Sequence, residues 1–103
     1  MDYHENVLIL DFYHGNPGDI CSHEDQVIRS HKECETAIHV MGFPKSRVNN
    51  WFGNHKWIPS GCSVRNGVDH RRHFEESTEG VGRGRQDLIP VCKKAFSSIG
   101  MEL

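Results

Sequence analysis

The sequence predicts an α+β fold, one helix packed on a small antiparallel sheet and stapled by disulfides. Three observations lead there. Ser30-His31-Lys32-Glu33 has the form of a helix-opening capping box, and behind it Cys34, Ala37, Ile38 and Met41 recur at i, i+3, i+4 and i+7. Short β-like segments bounded by turn residues occupy the second half of the chain. The four cysteines, Cys21, Cys34, Cys62 and Cys92, are even in number, as two disulfides require.

Size makes staples plausible. With 103 residues, 36% of them hydrophobic, the chain has material for one thin core and none for a second. Twelve basic against 14 acidic side chains give a net charge of −2, which disfavours polyanion binding as the main task because phosphate contacts need surplus Lys and Arg. The apolar run Val7-Leu8-Ile9-Leu10 is far short of a membrane span or signal-peptide core, so export implies a targeting segment already removed.

In chain order, residues 6–13 read as a strand or docking arm, closed by the turn cluster Gly15-Asn16-Pro17-Gly18-Asp19. Residues 1–20 are thus an N-terminal arm or edge strand, 21–93 the stapled domain, and 94–103 a tail. The helix is expected over 31–41, because Ser30 caps its start and Gly42 supplies the left-handed stop. A competing reading starts it near Ser22 and carries Val27 and Ile28 on the same stripe. Downstream, 62–65 and 68–75 flank Asn66-Gly67, a dipeptide that favours a two-residue hairpin turn. Residues 80–85, with three glycines alternating with Val81, Arg83 and Arg85, read as a mobile loop. Residues 88–92 read as a final strand that Pro90 confines to an edge.

Three constellations invite chemistry. His70-Arg71-Arg72-His73 has a ligand-like spacing beside Glu75 and Glu76, making a small metal-binding protein one alternative. On a strand, however, residues three apart point to opposite faces, so the two imidazoles cannot share an ion there. The 80–85 loop lacks the strand-to-helix setting and Lys-Ser/Thr ending of a phosphate loop. No cysteine sits in a nucleophile turn, and all four are better used as bridges. The expectation is a protein without catalytic residues, metal or cofactor.

Gly42 to Asn54 follows the spacing Gly-x-x-x-x-x-Val-x-Asn-Trp-Phe-x-Asn and resembles the turn and recognition helix of homeodomains. That resemblance implies a helix in the major groove, Asn54 reading adenine, and Trp51 and Phe52 anchoring the core. DNA binding is therefore a second alternative. Against it, Pro59-Ser60-Gly61 ends the segment early, Gly15-Asn16-Pro17-Gly18 occupies the place of a first helix, and basic arms are missing.

A wider pattern runs from Cys21 to Lys93: Ile28-x-Ser30-x-x-Glu33-Cys34-Glu35-x-Ala37, then Pro59-Ser60-Gly61-Cys62, His73-Phe74-Glu75, and residues 84–93 closing on Cys92. It resembles an uncharacterised four-cysteine domain recurrent in secreted or organellar proteins of dinoflagellates, haptophytes and other marine protists. Ile38 stands where that family has a second alanine, and Glu75 where it has asparagine. The resemblance implies a secreted or lumenal location, with a photosynthetic complex of the thylakoid lumen as one setting. Within this grouping Cys34 on the helix and Cys62 at a strand start can meet across a helix-on-sheet interface, leaving Cys21 and Cys92 to tie the ends. Sequence alone leaves three connectivities open. The function expected is a non-enzymatic interaction module or accessory subunit. It would hold a protein partner through Leu8 and Leu10 of the arm and a Trp51-Phe52-Trp57 aromatic patch.

Overall fold

A computed structural model describes residues 12–67 and 69–94. Strand β1 is Phe12–His14, helix α1 is His31–Val40, and the remaining strands are β2 (Trp51–Gly53), β3 (Gly61–Arg65), β4 (Arg72–Glu75) and β5 (Leu88–Lys93). They form one five-stranded sheet in the order β1-β5-β3-β4-β2. Every pairing is antiparallel except β2 with β4, which is parallel.

Local sequence accounts for α1 at both ends. The Ser30 hydroxyl accepts the Glu33 amide at 3.2 Å, satisfying one of the donors that a helix start leaves open. At the other end Gly42 takes φ +79°. Its amide donates to the His39 carbonyl, and that of Phe43 to Ile38, the paired bonds of a Schellman stop. The competing start near Ser22 does not form. Instead Glu24–Gln26 make a single 3₁₀ turn, and Val27 is extended, bridging to Cys92.

α1 lies on one face of the sheet. Its Cys34, Ala37 and Ile38 pack with Ile28 against Phe12, Cys62, Val64, Phe74 and Val91, which the period-2 alternation of four strands turns to that side. Cys34–Cys62 bridges helix and sheet inside this cluster, with Cα atoms 5.5 Å apart. On the opposite face a second cluster gathers Cys21, Val27 and Cys92, with Tyr13 and Val81 packed against it. Cys21–Cys92 crosses it, Cα to Cα 5.8 Å. Both disulfides join the pairs expected.

Gly61 shows how closely the layers approach. At φ +74°, a Cβ there would lie 2.4 Å from the Ile28 carbonyl oxygen. Only glycine lets β3 begin against that strand-like segment.

Three expectations need correction. Asn66-Gly67 does not form a two-residue hairpin turn: β3 ends at Arg65 and β4 begins at Arg72, so the dipeptide sits in a longer loop. The Asn66 amide is drawn to the Asp87 carbonyl at 2.7 Å, and Arg71 is capped by the Asp69 carboxylate at 3.0 Å. Residues 80–85 are held in place, with Gly82 bridged to Pro59 and the Arg83 amide on the Ile58 carbonyl at 3.1 Å. Arg29 clamps the preceding turn through the Ser77 and Gly80 carbonyls.

The third correction concerns β5, which is an interior strand between β1 and β3. Pro90 is tolerated there because β1 is so short. The Pro90 carbonyl accepts from the Gly15 amide, so its missing N–H also points to that side, where β1 has already ended at His14. The edge rule for proline holds locally inside a strand that is central overall.

Candidate functional site

The sheet has two outer strands, and β2 carries the exposed aromatics. Trp51, Phe52 and Gly53 pair in register with His73, Phe74 and Glu75. The Gly53 carbonyl accepts the Glu76 amide at 2.8 Å. Peptide groups alternate along a strand, so the Phe52 N–H and C=O point away from β4, toward solvent.

The homeodomain-like helix is absent, since Trp51–Gly53 is a strand and Asn54 begins the exposed turn after it. A segment that pairs with β4 cannot also present one helical face to DNA.

Alternation also divides the expected aromatic patch. Trp51 turns to the face away from α1, where its ring covers His73 at a centroid distance of 5.5 Å and leaves no room for a side chain on Gly53. Phe52 turns to the helix side, stacked parallel on His31 at 4.4 Å. His31 in turn meets the edge of Phe74 at 4.3 Å, and its Nε2 lies 3.4 Å from a Glu76 carboxylate oxygen. Trp57 stands on the turn after β2, with the Arg83 guanidinium 4.6 Å and the Lys56 ammonium 5.4 Å from its ring centroid. Phe52 and Trp57 remain 49% and 50% exposed, whereas Trp51 is half-buried. Leu8 and Leu10 lie outside the described residues.

A buried carboxylate fixes this rim. Glu75, 2% exposed, accepts the His55 amide at 3.0 Å on one oxygen, and the Ser77 amide and hydroxyl on the other. Those charge-assisted bonds anchor the turn carrying Trp57 to β4. Beside it, His73 is buried under Trp51, and desolvation holds its pKa below the usual histidine value, with the Arg85 and Arg71 charges acting the same way. Arg85 and Asp87 form a two-pronged ion pair at 2.6 and 3.0 Å, which pulls the Asp87 carboxyl down.

The ligand-like histidines separate: His70 sits in the β3–β4 loop at φ +56°, and His73 is on β4. Among the described residues no three His, Cys, Asp or Glu side chains gather as metal ligands would. Sequence reasoning missed Val48, 41% exposed just before β2, as well as the His31 stack and the Arg83 cap. The apolar Val48 was visible as such, but nothing local marked it as exposed. No family model, curated protein or solved structure matches the chain.

Proposed function

We propose that the chain is a non-enzymatic recognition module of an oxidising compartment, secreted or organelle-lumenal, that holds a protein partner along the β2 edge. The observation carrying this reading is where apolar surface is left uncovered. Of the four exposed large hydrophobic residues among those described, Val48, Phe52 and Trp57 flank or occupy β2, and only Ile20 lies elsewhere. An open strand edge with apolar side chains beside it suits an extended partner segment that adds to the sheet. Two disulfides and an immobilised turn keep that edge preorganised, which lowers the ordering cost of binding. Among the described residues no helix is long and apolar enough to cross a membrane.

A photo-crosslinking residue placed at Phe52 or Trp57, in the source compartment, should capture one discrete protein. The same residue at Asn16 or Lys94, both exposed and beside the strands at the other side of the sheet, should not. Equal capture at all four positions, or at none, would remove the β2 edge from consideration.

A further inference from the structure

A cleft of about 300 Å³ opens between α1 and the segment that follows it. Its apolar floor is Ile38 and Phe43, and its rim carries Lys45, Asn50 and Arg72. The volume is at the small end for ligand sites, enough for one aromatic or branched acyl group.

Arg72 is the informative residue. Its Nη1 donates to the Pro44 carbonyl at 2.7 Å and the His70 carbonyl at 2.9 Å, which occupies both hydrogens of that nitrogen and fixes the guanidinium plane. What remains is the edge formed by Nε and Nη2, whose parallel N–H bonds match the two oxygens of one carboxylate. Among the described residues no carboxylate lies within ion-pair distance of Arg72 or Lys45. Burial pushes the Arg72 pKa down, but a guanidinium keeps its charge in proteins, and among the described residues no acceptor meets its Nε or Nη2. No Asp or Glu occurs between Glu35 and Asp69, and that stretch carries Lys45, Arg47, Lys56 and Arg65 in a chain whose net charge is −2. The cleft's own lining carries two cations, Lys45 and Arg72, against one carboxylate, Glu35, so it is net positive in a molecule that is slightly negative overall.

We propose that this cleft binds a carboxylate borne on a small apolar group, with the Arg72 Nε/Nη2 edge as bidentate anchor, Lys45 as second cation, and Phe43 and Ile38 seating the apolar part. Glu35, on the helix wall of the same cleft, limits the ligand's charge. It repels a second negative group, so a monocarboxylate is preferred to a phosphate dianion or a dicarboxylate. The carboxylate belongs either to a free acid or to the C-terminus of a peptide. Its anchoring side chains, Arg72 and Lys45, are none of those assigned to the β2 surface, although Asn50 of the lining directly precedes that strand.

The test is an NMR titration of the oxidised full chain, read at the Arg72 Nε–Hε resonance and the Phe43 ring signals. The probes are phenylacetate, phenylacetamide, phenyl phosphate, and an acetylated dipeptide ending in phenylalanine with its C-terminus free or amidated. Saturable shifts at both residues are expected with phenylacetate or the free-acid peptide, and the tighter of the two identifies the source. The amides should leave both signals in place, and phenyl phosphate should bind about tenfold more weakly. Arg72→Lys, which keeps the charge and loses the fork, should weaken binding about tenfold or more. Because Arg72 also holds two carbonyls, Lys45→Ala serves as a second variant, with a several-fold loss and an otherwise unchanged spectrum. Non-saturable shifts, equal shifts from the amides, or undiminished binding by Lys45→Ala together with a folded Arg72→Lys would overturn the proposal.

Discussion

Replacing Cys21 and Cys92 by alanine, and in a second protein Cys34 and Cys62, sets loop entropy against core packing. The outer bridge spans 71 residues and the inner one 28. On the chain-entropy model, closing each loop alone is worth about 4.4 and about 3.6 kcal/mol at 25 °C. The loops are nested, so the inner bridge shortens the outer loop to roughly 44 residues and the outer contribution to about 4.0 kcal/mol. Together they supply about 8 kcal/mol, against a total of about 5 to 15 kcal/mol for a domain of this length. Packing ranks the pairs the other way, because Cys34 and Cys62 lie in the larger cluster under α1 and Cys21 and Cys92 in the smaller one. The assay is equilibrium urea unfolding of the parent and both variants, each extrapolated with its own m value, which should rise as the unfolded chain is released. Each variant should lose about 3 to 4 kcal/mol, the outer at least as much as the inner, and reduction of both bridges should unfold the protein. A loss below about 1 kcal/mol in either variant would refute the claim that the bridges supply cohesion. A clearly larger loss for the inner pair would refute loop entropy as the source.

Two further outcomes follow from single residues. His73 is buried with a lowered pKa, so the unfolded chain binds its proton more readily than the folded one; its contribution is fully present above the ordinary value of 6.5 and declines as pH falls below it. Urea midpoints measured between neutrality and mild acid should fall accordingly, and His73→Gln should flatten that segment of the profile. Gly61→Ala should destabilise by more than the roughly 1 to 2 kcal/mol of its left-handed backbone, because the added carbon meets the Ile28 carbonyl. Gly42→Ala, also at positive φ but with nothing within 4 Å, is the control that pays the backbone cost alone, so equal losses would discard the steric account.

The parts of the fold that the sequence made legible are those in which neighbours along the chain satisfy one another. Ser30 and Glu33 are three positions apart, and Gly42 closes bonds to carbonyls within the last turn of α1. Helix period places Cys34 on the buried stripe and a strand start following a glycine makes Cys62 a candidate partner, but this does not by itself choose among three connectivities; the fold does, joining Cys34 to Cys62 and Cys21 to Cys92. The hairpin dipeptide misled because its local preference competes with two long-range demands, the Asp87 carbonyl on the Asn66 amide and a β4 start set by register with β3. Pro90 misled because an edge is a property of the neighbouring strand's length, and no rule applied to residues 88–92 can supply the end of β1.

β2 is the instructive failure. Three residues are too few to display a period, and the surrounding Val-x-Asn-Trp-Phe-x-Asn spacing is as compatible with a helix as with an extended segment. The choice is made by β4, which offers a free edge in parallel register, and by the buried Glu75 carboxylate that ties down the following turn. The candidate cleft was hidden for a related reason. Phe43, Lys45 and Asn50 sit close together in sequence, but their significance depends on Arg72, delivered from another strand with one nitrogen already committed to two carbonyls. Composition counts that arginine as one more charge; only its hydrogen-bond partners show which edge of it is left to bind.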